Sequence, residues 1–201
     1  LITLPGRSVS KISIPFLAEA WKKDDLDKID DLYVRSSISQ YAVGLLIFIG
    51  LMVNLENIFR LLPVAYSGSA AVIILISFGN LVSGSAGVNG VLLSTSSLYR
   101  YQTWLMFILI ALFVLTSVIF IPLFGITGAA LAAMISNIIY SMLGVVLTGR
   151  RFGLWPYRTV HLKMTLVALV ALAAGYIMPQ ISLIPDILFR SILVALIYVA
   201  G

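Results

Sequence analysis

The sequence predicts an all-α fold, a polytopic transmembrane helix bundle with about six full spans and a partial one at the start. Hydrophobic residues make up 61% of the chain, charged residues make up 10%, and the mean hydropathy is +1.09. A soluble globular surface cannot be built from that composition. Apolar stretches follow one another, each close to the roughly 20 helical residues that cross a bilayer's hydrocarbon layer. The clearest of them, from Trp104 to Pro122, contains no charged residue.

Composition also excludes several classes of protein. Cysteine is absent, so disulfide frameworks, thiolate metal sites and cysteine nucleophiles are excluded. The net charge of +5 would favour nucleic acid in a soluble protein, but in a membrane protein the cations set the topology, and we expect no nucleic acid partner. The chain begins at Leu1 without Met and ends at Gly201 within an apolar run, so we interpret it as part of a longer protein.

The first two segments are the least regular. Residues 1–20 are apolar but contain Arg7, Lys11 and several serines, a composition that predicts the end of a polar-faced span. Residues 21–37 combine apolar positions at helical spacing with charged faces, which predicts a short surface helix.

Six apolar spans follow, and prolines lie near the ends of most of them, where a missing amide proton is best tolerated. The predicted spans are residues 38–62, 70–97, 103–122, 126–148, 160–181 and 186 onward. The second contains four glycines that predict a bend or a broken helix: Gly79, Gly84, Gly87 and Gly90. Small residues spaced by four predict close helix packing in two series: Gly125, Ala129 and Ala133, and Gly128, Ala132 and Ser136.

Basic residues are unevenly distributed between the connections. The connections between spans lie alternately on the two sides of the membrane. Nine basic residues lie in the connections of one side, and only Arg60 and Arg190 lie near those of the other side. Because cytoplasmic loops are rich in Lys and Arg, residues 21–37, 98–102 and 149–163 are predicted to be cytoplasmic. The nine are Lys22, Lys23, Lys28, Arg35, Arg100, Arg150, Arg151, Arg158 and Lys163. Aromatic residues typical of the membrane interface accompany them: Tyr99, Tyr101, Trp104, Trp155 and Tyr157.

No motif for catalysis, nucleotide binding or metal binding is present, and the loops are too short for a soluble catalytic domain. We therefore expect no enzyme activity, no catalytic residue, no cofactor and no metal. His161 is the only histidine, and it lies between Arg158 and Lys163. The simpler interpretation is an interfacial residue, and the alternative is a role in proton coupling.

Arg7 and Lys11 share one helical face, because they are four residues apart. A cation in hydrocarbon costs at least ~2.5 kcal/mol, so such residues usually face a bundle interior or a water-filled cavity. The alternative is that both lie at the interface, with their charged ends reaching water. In a cavity they would attract an anionic group such as a phosphate, which Arg binds with two hydrogen bonds and Lys as a point charge.

Two further polar sets lie within the spans. The first, at one end of the 38–62 span, consists of Asn54, Glu56, Asn57 and Arg60. It is either a local ion pair with hydrogen bonds at the interface, or an outward gate or ion-coupling site. Asn80 and Asn89, in the next span, either bond neighbouring helices or bind substrate.

Four stretches of the chain carry a resemblance to a known family. They are PGRSVSKISIPFLAEAWKKDDLDKIDDLYVRSS, NLENIFRLLP, GVNGVLLSTSSLYR and IPLFGITGAALAAMIS. These stretches resemble the polysaccharide flippase family, the Wzx-type O-antigen and capsule flippases of the multidrug/oligosaccharidyl-lipid/polysaccharide exporter superfamily. The resemblance covers most of residues 1–150 and is strongest at 15–25 and 121–130, while beyond 150 only hydropathy agrees. These motifs do not specify the sugar.

The resemblance implies that residues 1–201 form a single transmembrane domain, most of the second half of a two-half transporter. It implies that a lipid-diphosphate-linked oligosaccharide is flipped from the inner to the outer leaflet of the plasma (inner) membrane, by alternating access, during O-antigen, capsule or exopolysaccharide biosynthesis. The implied partners are membrane lipids, the N-terminal half of the same chain, and the polysaccharide polymerase and glycosyltransferases of the pathway. We expect Arg7, Lys11, Asn80 and Asn89 to bind substrate in the cavity.

Three alternatives remain open. The first is a multidrug or cation antiporter of the same superfamily, which an acidic cavity would favour. The second is a flippase for a lipid-linked peptidoglycan precursor. The third is a membrane-embedded transferase, which would need clustered carboxylates or histidines near one interface.

Overall fold

The computed structural model describes residues 4–61, 69–178 and 183–200, with side chains from residue 9 in the first range and from residue 184 in the last. Within these ranges every regular element is an α-helix, as the sequence predicts. The helices are α1 (Leu4–Lys22), α2 (Leu26–Val53), α3 (Leu55–Leu61), α4 (Ala70–Ser85), α5 (Asn89–Thr95), α6 (Tyr99–Phe152), α7 (Thr159–Ile177) and α8 (Leu183–Ala200).

The sequence predicted a separate surface helix at residues 21–37, and this prediction is wrong. After a short turn, α2 begins at Leu26 and continues without a break to Val53. A carboxylate oxygen of Asp25 accepts a hydrogen bond from the Lys28 backbone N–H (3.0 Å) and caps the new helix. Ile29 and Tyr33 are fully buried in one core with Leu17 of α1, so the apolar face of this stretch is covered by protein.

The predicted 38–62 span is interrupted at Asn54, where α2 ends and the short α3 starts. The next span is also broken, as its glycines predict, and α4 and α5 meet at an angle of 47°. Gly87, at the break, has φ of 58°, a conformation that other residues adopt only with strain. A Cβ there would lie 2.7 Å from the Ser37 backbone nitrogen, so the break needs glycine for space as well.

Helix α6 folds back on itself at Gly125, whose φ of 57° and ψ of −130° are not helical. The Thr116 and Ser136 hydroxyls are 3.2 Å apart, although a straight helix would separate these residues by about 30 Å. Residues 99–124 and 126–152 are therefore antiparallel, and we call them the first and second limbs of the α6 hairpin. The limbs agree with the separate spans predicted at 103–122 and 126–148.

The predicted close packing is confirmed at the hairpin, where a Cβ on Gly128 would lie 1.9 Å from the Phe120 carbonyl oxygen. Ala132 and Ser136 are fully buried on the same face of the second limb. This series therefore lets the two backbones approach, whereas Ala129 and Ala133 of the other series are only half-buried.

Helix α2 joins the two main apolar cores. One core packs α1, α2 and α5 together and includes Leu17, Ile29, Tyr33, Val88 and Leu92. The other packs α2, α4, α7 and α8 together and includes Leu45, Ile49, Leu81, Ala171 and Val194. The first limb of the α6 hairpin belongs to neither core.

Several of the helices have the length and composition of membrane spans. In the described ranges, α2, α6 and α7 are each long and apolar enough to cross a membrane, and the bent pair of α4 and α5 is a fourth candidate. Large apolar side chains such as Trp104 (67% exposed) and Val118 (68% exposed) cover the first limb. A surface of this kind fits lipid, although the predicted count of six full spans is not confirmed.

The three connections predicted to be cytoplasmic lie together at one end of the bundle. The rings of Trp21 and Phe152 have centroids 4.7 Å apart, and Arg158 forms an ion pair of 2.8 Å with Asp30. The guanidinium of Arg151 lies 5.8 Å from the Tyr101 ring centroid. We call this end, formed by residues 21–37, 98–102 and 149–163, the basic end.

Candidate functional site

A cavity of about 440 Å³ opens where the chain breaks between α4 and α5. Its walls come from α1, from the break and from both limbs of the α6 hairpin, and we call it the break cavity. No Asp, Glu, Lys or Arg is among its lining residues in the described part of the chain. The polar lining side chains are Ser10, Ser83, Asn89, Ser94, Gln102, Asn137, Tyr140 and Ser141.

Serines of α2 bind backbone groups at the break between α4 and α5. The Ser36 hydroxyl accepts a hydrogen bond from the Val88 backbone N–H (3.1 Å) and donates one to the Tyr33 carbonyl (2.8 Å). Ser37 donates to the Ser85 carbonyl at the end of α4. These bonds satisfy backbone groups that a broken helix would otherwise leave without partners.

The two limbs of the hairpin contribute a polar wall. The Gln102 side-chain amide donates to the Tyr140 hydroxyl (2.7 Å) across the limbs. The Asn137 amide nitrogen donates to the Ala133 carbonyl (2.9 Å), which holds this side chain against its own helix. Hydroxyl and amide groups both donate and accept hydrogen bonds, so this wall can pair with an uncharged ligand rich in hydroxyls.

Asn89 lines the break cavity but is also a structural link. Its amide nitrogen donates to the Tyr33 hydroxyl and to the Thr148 hydroxyl, both at 2.8 Å, and the residue is buried. A Cβ on Gly144 would lie 2.5 Å from the side-chain amide oxygen (Oδ1) of Asn89, so the glycine in the second limb leaves room for this amide. The structure thus shows Asn89 bonding neighbouring helices, while its role towards substrate stays a prediction.

Of the other three residues predicted to bind substrate, Asn80 and Lys11 lie outside the described lining of the break cavity. Asn80 is half-buried on α4 and is not among the lining residues. Lys11 is exposed on α1, one position after Ser10 in the cavity wall. Arg7 also lies on α1, but its side chain lies outside the described part of the chain. A cationic interior of the break cavity therefore stays a prediction.

Two of the predicted gate residues, Asn54 and Asn57, contact α8 at the end of the bundle opposite the basic end. Asn57 donates to an Asp186 carboxylate oxygen (2.5 Å), and Asn54 donates to the Ser191 hydroxyl (3.2 Å). Glu56 and Arg60 form the predicted ion pair on α3, at 2.7 Å and largely exposed. A cavity of about 260 Å³ lies beside Glu56, Asn57 and Asp186.

Sequence reasoning missed the central pair of this cluster. Asp186 and Arg190 form an ion pair of 2.7 Å on α8, and only 1% of Asp186 and 5% of Arg190 is exposed. Arg190 also donates to the carbonyls of Gly175 (2.6 Å) and Met178 (2.8 Å), where α7 ends. The sequence signal for this pair is two opposite charges spaced by four within an apolar run, the same spacing as that of Glu56 and Arg60.

His161 links α7 to α2 at the basic end. Its Nδ1 accepts a hydrogen bond from the Arg158 backbone N–H (3.2 Å), so the ring proton of the neutral form lies on Nε2. That Nε2 is 2.9 Å from the Ser37 hydroxyl, to which it donates. Since both ring nitrogens have structural partners, this geometry fits the simpler interpretation of a packing residue.

The Tyr157 ring lies edge-on to the His161 ring, with centroids 5.6 Å apart. Its hydroxyl is 3.3 Å from the Ser85 hydroxyl. Burial raises the pKa of the Tyr157 phenol, against the opposite effect of the Ser85 hydrogen bond. Tyr157 is therefore neutral at physiological pH and can act as a hydrogen-bond donor that fixes the connection between α6 and α7.

Comparisons with protein-family models, curated proteins and solved structures found no match for the chain. Within the described ranges, no group of three His, Asp or Glu side chains is arranged to hold a metal ion. The break cavity, whose described lining is polar and contains no charged side chain, is the feature from which we infer a function.

Proposed function

We propose that this chain is part of a membrane flippase that moves a lipid-diphosphate-linked oligosaccharide between leaflets by alternating access, during the biosynthesis of a surface polysaccharide. The break cavity carries this proposal. Irregular backbone at membrane depth is tolerated where it lines a cavity, and broken helices form the substrate sites of many transporters. The sequence motifs that resemble polysaccharide flippases point to the same class of protein.

The lining of the cavity favours a sugar over a cation. Gln102, Asn137 and Tyr140 offer amide and hydroxyl groups, which match the alternating donors and acceptors of sugar hydroxyls. A cationic drug would need carboxylates or an aromatic cage, and the described lining contains no carboxylate. The oligosaccharide interpretation is therefore preferred to the antiporter, and the charged diphosphate is assigned to Arg7 and Lys11 on α1.

We further propose six full crossings in the plasma (inner) membrane. They are α2, the bent pair of α4 and α5, each limb of the α6 hairpin, α7, and α8. The reversal at Gly125 supports separate crossings by the two limbs. The grouping of residues 21–37, 98–102 and 149–163 at one end supports a cytoplasmic position for that basic end.

Cysteine labelling tests this topology. Ser97 is exposed at the basic end, and Ser69 precedes α4 at the opposite end. In a full-length protein without other cysteines, Ser69→Cys should react with a membrane-impermeant maleimide in intact cells, whereas Ser97→Cys should react only after permeabilisation. The two variants make the same chemical change, so the reverse pattern would show that the orientation is wrong.

The cations of α1 provide the test of transport. Replacing Arg7 and Lys11 together by Gln should abolish surface polysaccharide at normal protein abundance, because the diphosphate loses both charges. Arg7→Lys alone should retain partial export, since the charge remains and only the paired hydrogen bonds are lost. The measurement is surface polysaccharide in cells whose own copy of the gene is deleted.

A matched control changes two cations at the other end of the same helix. Lys22→Gln with Lys23→Gln removes the same charge from an exposed stretch and should leave export normal. Normal export from the variant that lacks Arg7 and Lys11 would instead reject their assignment to the diphosphate. If deletion of the gene left polysaccharide unchanged and the protein conferred drug resistance, the antiporter would replace the flippase.

A further inference from the structure

Three arginines lie at the base of the α6 hairpin, and all three are exposed: Arg100, Arg150 and Arg151. The reversal at Gly125 brings the start of the first limb beside the end of the second, so the three arginines share one end of the hairpin. Arg151 lies 5.8 Å from the Tyr101 ring centroid on the other limb, and Arg100 lies 5.9 Å from that of Tyr99. We call these five residues together with Trp104 the hairpin base.

The arginines of the hairpin base have no carboxylate within 4 Å in the described part of the chain. The ion pairs found there involve other cations: Lys23, Arg35, Arg60, Arg158 and Arg190. Apart from Glu56 and Asp186 at the opposite end, the carboxylates of the chain lie in or near the corner between α1 and α2: Glu19, Asp24, Asp25, Asp27, Asp30 and Asp31. The hairpin base is therefore a local excess of positive charge.

The depth of this charge follows from its neighbours. Beyond Trp104, the first limb exposes apolar side chains, among them Phe107 (60%), Ile110 (60%) and Leu115 (60%). This surface fits the hydrocarbon layer, whereas Tyr and Trp concentrate at the level of the headgroups. Tyr99, Tyr101 and Trp104 thus place the three guanidiniums at the height of lipid phosphates.

We propose that the hairpin base binds the headgroup of an anionic phospholipid, such as phosphatidylglycerol. Guanidinium groups bind phosphate oxygens through paired, charge-assisted hydrogen bonds, and basic surfaces at the cytoplasmic level attract anionic lipids. The acyl chains lie along the apolar first limb, and the phosphate lies among the three arginines. A zwitterionic phospholipid binds more weakly, because its own ammonium group opposes the attraction. This site is distinct from the break cavity and does not depend on the transported substrate.

Native mass spectrometry of the full-length protein tests the proposal, with phosphatidylglycerol and phosphatidylcholine as the two probes. Wild-type protein should bind phosphatidylglycerol more tightly. The variant with Gln at Arg100, Arg150 and Arg151 should lose this preference, since three cations near anionic lipid together account for on the order of 100-fold in affinity. Equal affinity of the wild-type protein for both lipids, or a preference retained by the variant, would overturn the proposal.

A control separates a defined site from general attraction. Replacing Lys22, Lys23 and Lys28 by Gln removes the same charge from the same end of the bundle and should leave the preference intact, because those cations lie among carboxylates. An equal loss in this control would mean that the attraction is diffuse and that the hairpin base is not the site. The arginines are exposed, so the unfolding temperature without lipid should match that of the wild type. If it does not, the pair Arg150→Gln and Arg151→Gln replaces the triple variant.

Competition identifies the source of the phosphate. Soluble glycerol phosphate should not displace phosphatidylglycerol at matched concentration, because it lacks the chains that lie on the first limb. If glycerol phosphate displaced phosphatidylglycerol completely, the site would recognise phosphate alone, and the lipid assignment would be overturned. Polyprenyl diphosphate also has a phosphate and an apolar chain, so it should compete no better than phosphatidylglycerol itself. Displacement of phosphatidylglycerol by a lower concentration of polyprenyl diphosphate would assign the hairpin base to transported substrate instead and overturn the proposal.

Discussion

Replacing Arg190 by Met is expected to lower the free energy of unfolding by about 3–5 kcal/mol, because the change leaves the Asp186 carboxylate buried without its guanidinium. The carbonyls of Gly175 and Met178 lose a donor at the same time. Thermal or denaturant unfolding of the purified protein in detergent measures the loss. Asn57, which still donates to the carboxylate, is too weak a partner to compensate for the missing charge.

The matched control is Arg60→Met, which breaks an ion pair of the same spacing and length on α3. That pair is largely exposed, so its loss should cost less than about 1 kcal/mol. Adding Asp186→Leu to Arg190→Met removes both charges and should recover part of the stability. Similar costs for Arg60→Met and Arg190→Met would contradict the burial of the pair on α8.

Replacing Gly128 by Ala is the second change with a large expected effect. The new Cβ would lie 1.9 Å from the Phe120 carbonyl oxygen and 2.4 Å from its carbonyl carbon, so backbone must move to admit it. Overpacking typically costs about 1–3 kcal/mol, and we expect at least the upper value here because backbone yields less than a side chain. Gly128→Leu should abolish the yield of folded protein, measured by size-exclusion chromatography in detergent.

Gly84→Ala is the matched control for the hairpin. It lies in α4, and a Cβ there meets no atom within 4 Å. Since Ala favours a helix over Gly by up to about 1 kcal/mol, this variant should be as stable as the wild type or more so. Unchanged stability of Gly128→Ala would mean that the limbs are not in close contact and that this face of α6 meets lipid.

The positions of chain breaks could be predicted where the sequence contains glycine, the residue that most readily adopts positive φ. Gly87 and Gly125 adopt positive φ, and both lie where a break or a span boundary was expected. The continuity of α2 from Leu26 into the apolar span was not predicted. The pattern changes from amphipathic to apolar near residue 37, which suggested a boundary, but no Pro or Gly ends the helix there. The end of α2 at Asn54 has no such signal either. Hydropathy therefore predicts the apolar segments well, but it predicts the ends of the individual helices poorly.

The polar contacts were harder to predict than the helices. The hydrogen bond between Asn57 and Asp186 joins residues 129 positions apart, and that between Ser37 and His161 joins residues 124 apart. Helical spacing shows which side chains share one face of a helix, but not which other helix meets that face. The polar character of Asn89 was visible in the sequence, whereas its bonds to Tyr33 and Thr148 depend on tertiary packing.

In the proposed topology, the tight reversal of the α6 hairpin leaves little of this part of the chain accessible to soluble proteins on the side opposite the basic end. From Trp104 to Phe124 the first limb rises about 30 Å, which equals the thickness of the hydrocarbon layer. The tip residues Leu123 and Ile126 are apolar and are 67% and 70% exposed. In the proposed topology, this turn would end at the bilayer surface and would not project into water. In that arrangement, a soluble protease on that side would meet an apolar turn and would find no polar loop to cleave there.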